Sequence, residues 1–106
     1  MKDPYELPAH RFRELKHFCL QYPAFKEEYE KLSGIKIEPG DVTSRVATKR
    51  RDLEHAMKLI ETTAVDAGDR DNSVFLYVCY DVADDPDPIK MAVRRFYYLL
   101  DKRKGV

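Results

Sequence analysis

The chain has no tryptophan, only four glycines and two cysteines, and no net formal charge. Each scarcity excludes something. Cys19 and Cys79 lie far apart in apolar surroundings with no CxxC spacing, so they supply neither a disulfide framework nor a zinc motif. They read as buried free thiols, with one disulfide as the other reading. Zero net charge leaves no global field that would favour nucleic acid, a membrane surface or an acidic substrate. Few glycines beside 36% charged residues suit long helices with polar faces. The longest uncharged run, "NSVFLYVCY", falls far short of the ~20 residues that span a bilayer. "MKDPYELPAH" contains no apolar signal-peptide stretch, and the expected location is the cytoplasm.

What is present fits one small helical domain. A chain of 106 residues with 43% hydrophobic residues is long enough for a single core without a metal or disulfide staple. Residues 1–8 hold two prolines and read as an extended N-terminal arm. In "AHRFRELKHFCLQYPAFKEEYEKLSG", Phe12, Leu15, Cys19 and Tyr22 form an amphipathic stripe that Phe18, Phe25, Tyr29 and Leu32 continue. Pro23 removes a backbone donor inside it. The helix either kinks there or restarts with Pro23 in its first turn, and the unbroken phase of the stripe favours two near-collinear pieces. Gly34 ends the element.

"IKIEPGD" is a loop marked by Pro39-Gly40. Thr43 or Ser44 is a fitting N-cap for the next helix. Val46, Leu53, Met57, Ile60 and Ala64 share one face of it, and Gly68 fits the C-terminal cap. "NSVFLYVCYDV" is β-prone locally, but a lone strand in a helical chain would lack a hydrogen-bonding partner. It is therefore read as a short buried helix capped by Asn72 or Ser73. Asp87 fits the N-cap of the last helix, about 88–103, with Pro88 in its first turn. Ile89, Val93, Phe96 and Leu100 form the core stripe of that helix. The expected fold is all-α, a compact antiparallel bundle of about four helices with the first broken near Pro23. Its expected core includes Phe12, Leu15, Tyr22, Leu53, Met57, Ile60, Phe75, Val78, Phe96 and Leu100.

No catalytic, metal or cofactor motif stands out. His10 and His17 are two helical turns apart, and with His55 they read as solvated side chains. "DAGDRDNS" lacks the ligand spacing of a calcium loop. Cys19 and His17 fall on different helix faces, so no nucleophile–base pair is evident. The chain is expected not to be an enzyme and to need no cofactor or small-molecule substrate. The cluster Arg45, Lys49, Arg50 and Arg51 reads as a salt-bridged solvated face, or else as a phosphate-contacting patch.

The charge is segregated along the chain. Residues 61–89 carry eight acids and one base, and residues 90–106 carry six bases and one acid. Such blocks can guide docking within a chain, between subunits or to a partner. The last helix offers a basic set of Lys90, Arg94, Arg95, Lys102, Arg103 and Lys104. As a DNA-recognition helix it would present Lys90, Arg94 and Arg95 as a stripe. Asp84, Asp85 and Asp87 in the preceding turn would repel a phosphate backbone. The terminal bases also have an ordinary role, complementing the helix dipole.

"YELPAHRFRELKHFCLQYPAFKEEY", "ATKRRDLEHAMKLIETTAVDA" and "RRFYYLLDKRK" resemble, in wording and order, small phage and prophage proteins of Gram-positive bacteria. Some of these look like phage late-gene transcription regulators whose last helix is the arginine–aromatic stretch. The resemblance implies a small regulatory protein in the bacterial host cell, with DNA as a partner through the six bases named above. The second expectation is a non-catalytic interaction or assembly module. It would dock a protein partner, or a second copy, through the acidic 66–87 segment.

Overall fold

The structure, a computed structural model, describes residues 4–36, 45–82 and 85–104. It is an all-α bundle, with no strand among the described residues. The helices are α1 (Ala9–Leu20), α2 (Tyr22–Ser33), α3 (Arg45–Asp66), α4 (Ser73–Tyr80) and α5 (Lys90–Lys104), with a 3₁₀ turn at Asp87–Ile89 leading into α5.

The expected break in the first helix is a single residue, Gln21, with Pro23 in the first turn of α2. The amide of Phe25 already donates to the Gln21 carbonyl at 2.9 Å, so regular helix resumes at once. The break separates two packing roles. α1 packs on α4 and α5, whereas α2 lies mainly along α3. Arg50 joins that second pair. It donates to the Leu32 carbonyl at 2.5 Å, which the Ile35 amide also reaches, and to the Ile35 carbonyl at 3.1 Å just beyond the end of α2. Lys49 pairs with Glu28 at 3.7 Å. This part of the second basic cluster therefore serves the α2–α3 contact.

α3 ends as its glycine predicts. Gly68 has φ +94°, its amide donates to the Val65 carbonyl, and the Asp69 amide reaches back to the Ala64 carbonyl. That is a Schellman cap, and the left-handed position is why a glycine stands there. Gly34 ends α2 with ordinary right-handed geometry and uses no such freedom. The cap expected at Thr43 or Ser44, the Pro39-Gly40 turn and Asp84 lie outside the described residues.

The β-prone segment is helix. Asn72 stands at the N-cap of α4 in the left-handed region, but neither it nor Ser73 caps the helix with its side chain. The cap comes from further back. Asp69 accepts from the amides of Val74 (3.2 Å) and Phe75 (3.0 Å). Asp87 likewise makes no side-chain cap, and regular α-helix begins only at Lys90 after the 3₁₀ turn.

One cluster of buried residues draws on α1, α3, α4 and α5 and, through Tyr22, on α2, with Phe96, Ile60, Leu100, Leu15 and Cys19 almost fully enclosed. Of the expected core, Leu15, Tyr22, Leu53, Ile60, Val78, Phe96 and Leu100 are buried, and Met57 and Phe75 are partly so. Phe12 is the exception at 41% exposed. Its ring meets Tyr97 edge-on at 5.0 Å on the rim of the core rather than inside it.

Candidate functional site

Arg95 and Arg103 are bound to their own chain. Arg95 donates to the Ala67 carbonyl and to the Tyr5 hydroxyl, each at 3.3 Å, and its guanidinium stacks over the Tyr5 ring. It thus ties the arm, the end of α3 and α5 together. Arg103 donates to the hydroxyl of the fully buried Thr63 at 2.7 Å and pairs with Asp66. Lys102 sits over the Tyr98 ring at 4.5 Å and Lys104 over the Phe18 ring at 3.6 Å. Lys90 and Arg94 are exposed.

Lys90 and Arg94 do not stand on an open ridge. At 100° per residue, Lys90, Arg94, Asp101 and Lys104 fall within about 80° of one another on α5. That face is turned toward α1. Arg11 of α1 grips Asp101 at 2.6 Å, and Lys104 covers Phe18 of α1. Toward the start of α5 the two helices part, and a groove of about 550 Å³ opens between the arm, α1, α4 and α5. Lys90 and Arg94 line one wall. Leu7, Phe12, Tyr77, Val93 and Tyr97 supply its apolar surface, and Glu6 and Asp87 its acids. A smaller hollow of about 70 Å³ continues past Phe12, Tyr77, Val93 and Tyr97 to Lys16, Leu20 and Asp81.

The groove follows from the local sequence. Pro8 stands immediately before α1, and the arm ahead of it brings Tyr5 and Leu7 against the bundle. Tyr5 packs edge-on against Tyr98 at 5.4 Å. α4 is eight residues long and apolar nearly all round, so the bundle does not cover every side of it. Tyr97 is 4% exposed yet lines both hollows, and no hydrogen bond among the described residues uses its hydroxyl. Burial raises the pKa of that hydroxyl, so it stays protonated at neutral pH.

His10, His17 and His55 are exposed, and no cluster fit for a metal ion occurs among the described residues. The acids of the 66–87 segment serve the fold in part: Asp66 holds Arg103, Asp69 caps α4, and Asp71 receives the Ser73 amide at 3.1 Å. No helix among the described residues is long and apolar enough to cross a membrane. Comparison with protein families, characterised proteins and solved structures returns no match.

Cys19 and Cys79 are free and buried. Burial pushes the Cys79 thiol from 9.0 up to about 12 and raises that of Cys19 as well. Burial also raises Tyr22, helped by its 2.7 Å hydrogen bond to Glu61. These groups keep their protons longer when folded than when unfolded. Their stabilising effect is complete below about pH 9 and declines as pH rises toward the folded values. Urea midpoints are expected to hold level from pH 7 to pH 9 and to fall above it, with a shallower fall in Cys79→Ala. A thiol reagent at pH 8 should modify neither cysteine until urea unfolds the chain. Rapid modification of the native protein would refute the burial.

Proposed function

We propose that the chain is a non-catalytic protein-interaction module that receives a segment of another protein in the groove between the arm, α1, α4 and α5. The observation that carries this is the shape and lining of the groove: about 550 Å³, aromatic within and bordered by charges of both signs. Binding sites are typically concave, apolar surfaces with a few placed polar groups. The resemblance to phage and prophage regulatory proteins fits this reading, since a small regulator can act by capturing a partner. The acidic 66–87 segment is the weaker docking surface, because several of its carboxylates already hold Arg103 or cap α4. DNA binding by the last helix is weaker for a parallel reason. Arg95 and Arg103 are held internally, and Lys90 and Arg94 border a crevice.

The test uses a random peptide display library with the wild-type chain and Ala9→Phe. Ala9 is exposed on the groove lining, so a ring there fills the groove without entering the core. Wild type should enrich a peptide family, and Ala9→Phe should lose at least about tenfold in affinity with its helical circular dichroism unchanged. An enriched family indifferent to Ala9→Phe would overturn the proposal, as would no enrichment. So would salt-sensitive binding to generic duplex DNA at micromolar protein, which would put the DNA reading in its place.

A further inference from the structure

The arm and the helices are held by different means. Each helix is fastened along its own backbone, whereas residues 6–8 of the arm have no regular structure. Pro4 and Pro8 have no amide to donate, and regular bonding begins where the Phe12 amide reaches the Pro8 carbonyl. Side chains fix the arm to the bundle. The Tyr5 hydroxyl accepts from Arg95 Nε at 3.3 Å, the Tyr5 ring lies 5.7 Å from the Arg95 guanidinium, and it meets Tyr98 edge-on at 5.4 Å. Leu7 is partly buried against the core cluster. Contacts of this kind are individually weak, and the conformational entropy of an ordered extended segment opposes them. The two sides are of similar size, so the arm opens at far lower cost than a core helix does.

Arg95 has the placement of a latch. Its Nη1 donates to the carbonyl of the fully buried Ala67 at 3.3 Å. That bond keeps the guanidinium aimed at the place of Tyr5 whether or not the arm is there. Tyr5, Glu6 and Leu7 belong to the lining of the groove, and Arg95 stands outside it. Of the arm and α3, which Arg95 fastens to α5, only the arm lines the groove. A change at Arg95 therefore reaches the groove through the arm.

We infer that the arm is a strap. It leaves and rejoins the bundle while the helices stay folded, Tyr5 and Arg95 are its latch, and the groove has its full wall only when the strap is latched. The last point rests on the groove being the docking surface, since a segment bound there touches the arm and favours the latched form. Arg95 is then a positioning residue for the groove.

The probe is 3-fluorotyrosine, read by fluorine NMR after it replaces the seven tyrosines of the chain. Tyr5→Phe, Tyr22→Phe and Tyr97→Phe assign three of the resonances. On warming, the Tyr5 resonance should move toward that of an unstructured tyrosine while helical circular dichroism and the Tyr22 and Tyr97 resonances hold. Arg95→Lys keeps the charge but loses the fork that serves two acceptors. It should displace the Tyr5 resonance before any warming, with Tyr22 and Tyr97 in place. One transition shared by all three tyrosines overturns the inference. So does a Tyr5 resonance indifferent to Arg95→Lys, or a displacement of all three by it, which would make Arg95 a fastening of the whole bundle. Should Arg95→Lys not fold, the warming series on the unaltered chain still decides. Peptides enriched by display test the wall. Apparent affinity scales with the latched fraction, so Arg95→Lys should weaken binding by the factor by which that fraction falls, about two- to fivefold. Equal or tighter binding with the arm released overturns the inference and leaves the interaction reading standing. If display enriches no peptide, the interaction reading falls, and the strap stands or falls on the warming series.

Discussion

Phe96→Ala is expected to lower the free energy of unfolding by about 3–5 kcal/mol, read from urea midpoints at constant slope. Phe96 has no exposed surface, and it is among the largest fully buried side chains of the chain. It lies in the cluster that gathers Leu15, Cys19, Ile60 and Leu100. Truncation removes the transfer free energy of the ring and leaves a cavity that packed helices close only in part. Domains of this size are held by about 5–15 kcal/mol in all, so the variant should sit near the edge of folding. Phe96→Leu keeps most of the volume and should cost distinctly less, about 1–2 kcal/mol. A loss below about 1 kcal/mol in Phe96→Ala would mean that this ring is not in the core.

The same residue shows why the architecture was readable. Phe96 and Leu100 fall on one stripe with Val93 and Ile89, and the other helices carry stripes of similar period. Packing such stripes together leaves little choice of fold class. Phe12 marks where this reasoning stops. It belongs to the stripe of α1 by spacing, but the stripe is wider than the surface α4 and α5 cover at that end. Periodicity reports which side faces inward, not how far the neighbouring helix reaches. The groove was illegible for that reason. It needs the arm ahead of Pro8, a gap between α1 and the start of α5, and an α4 too short to fill the space. Tyr97 escaped notice because its neighbour Phe96 satisfied the stripe.

The two charge blocks leave several readings open in the sequence. They can dock within the chain, between subunits or to a partner. In space the acidic stretch closes partly on the chain itself. Arg103 reaches Asp66 and the buried Thr63 hydroxyl, and Arg95 reaches the Ala67 carbonyl at the end of α3. An arginine presents several donors in a fixed fork, which lets one side chain fasten two elements at once. Sequence spacing cannot distinguish an arginine that fastens helices from one that faces a partner, because both occupy the border of an apolar stripe.

Asp69→Ala, the second large effect, is expected to cost about 2–3 kcal/mol. Asp69 is half-buried and accepts from two amides at the start of α4, those of Val74 and Phe75. A helix of eight residues has few internal hydrogen bonds to hold it, and its first amides have no partner within the helix. Each charge-assisted bond to such an amide contributes about 1.5–3 kcal/mol, and the two share one side chain, so their loss is not additive. Val74, Val78 and Cys79 are core residues of α4, so loosening its first turn reaches the core directly. Asp69→Asn keeps one acceptor oxygen and should recover about half of the loss. Asp71→Ala, in contrast, removes only exposed contacts to Ser73 and should change stability far less. Parallel urea melts of the three variants decide the matter. If Asp69→Ala proves as mild as Asp71→Ala, Asp69 does not cap α4, and its carboxylate returns to the acidic surface available to a partner.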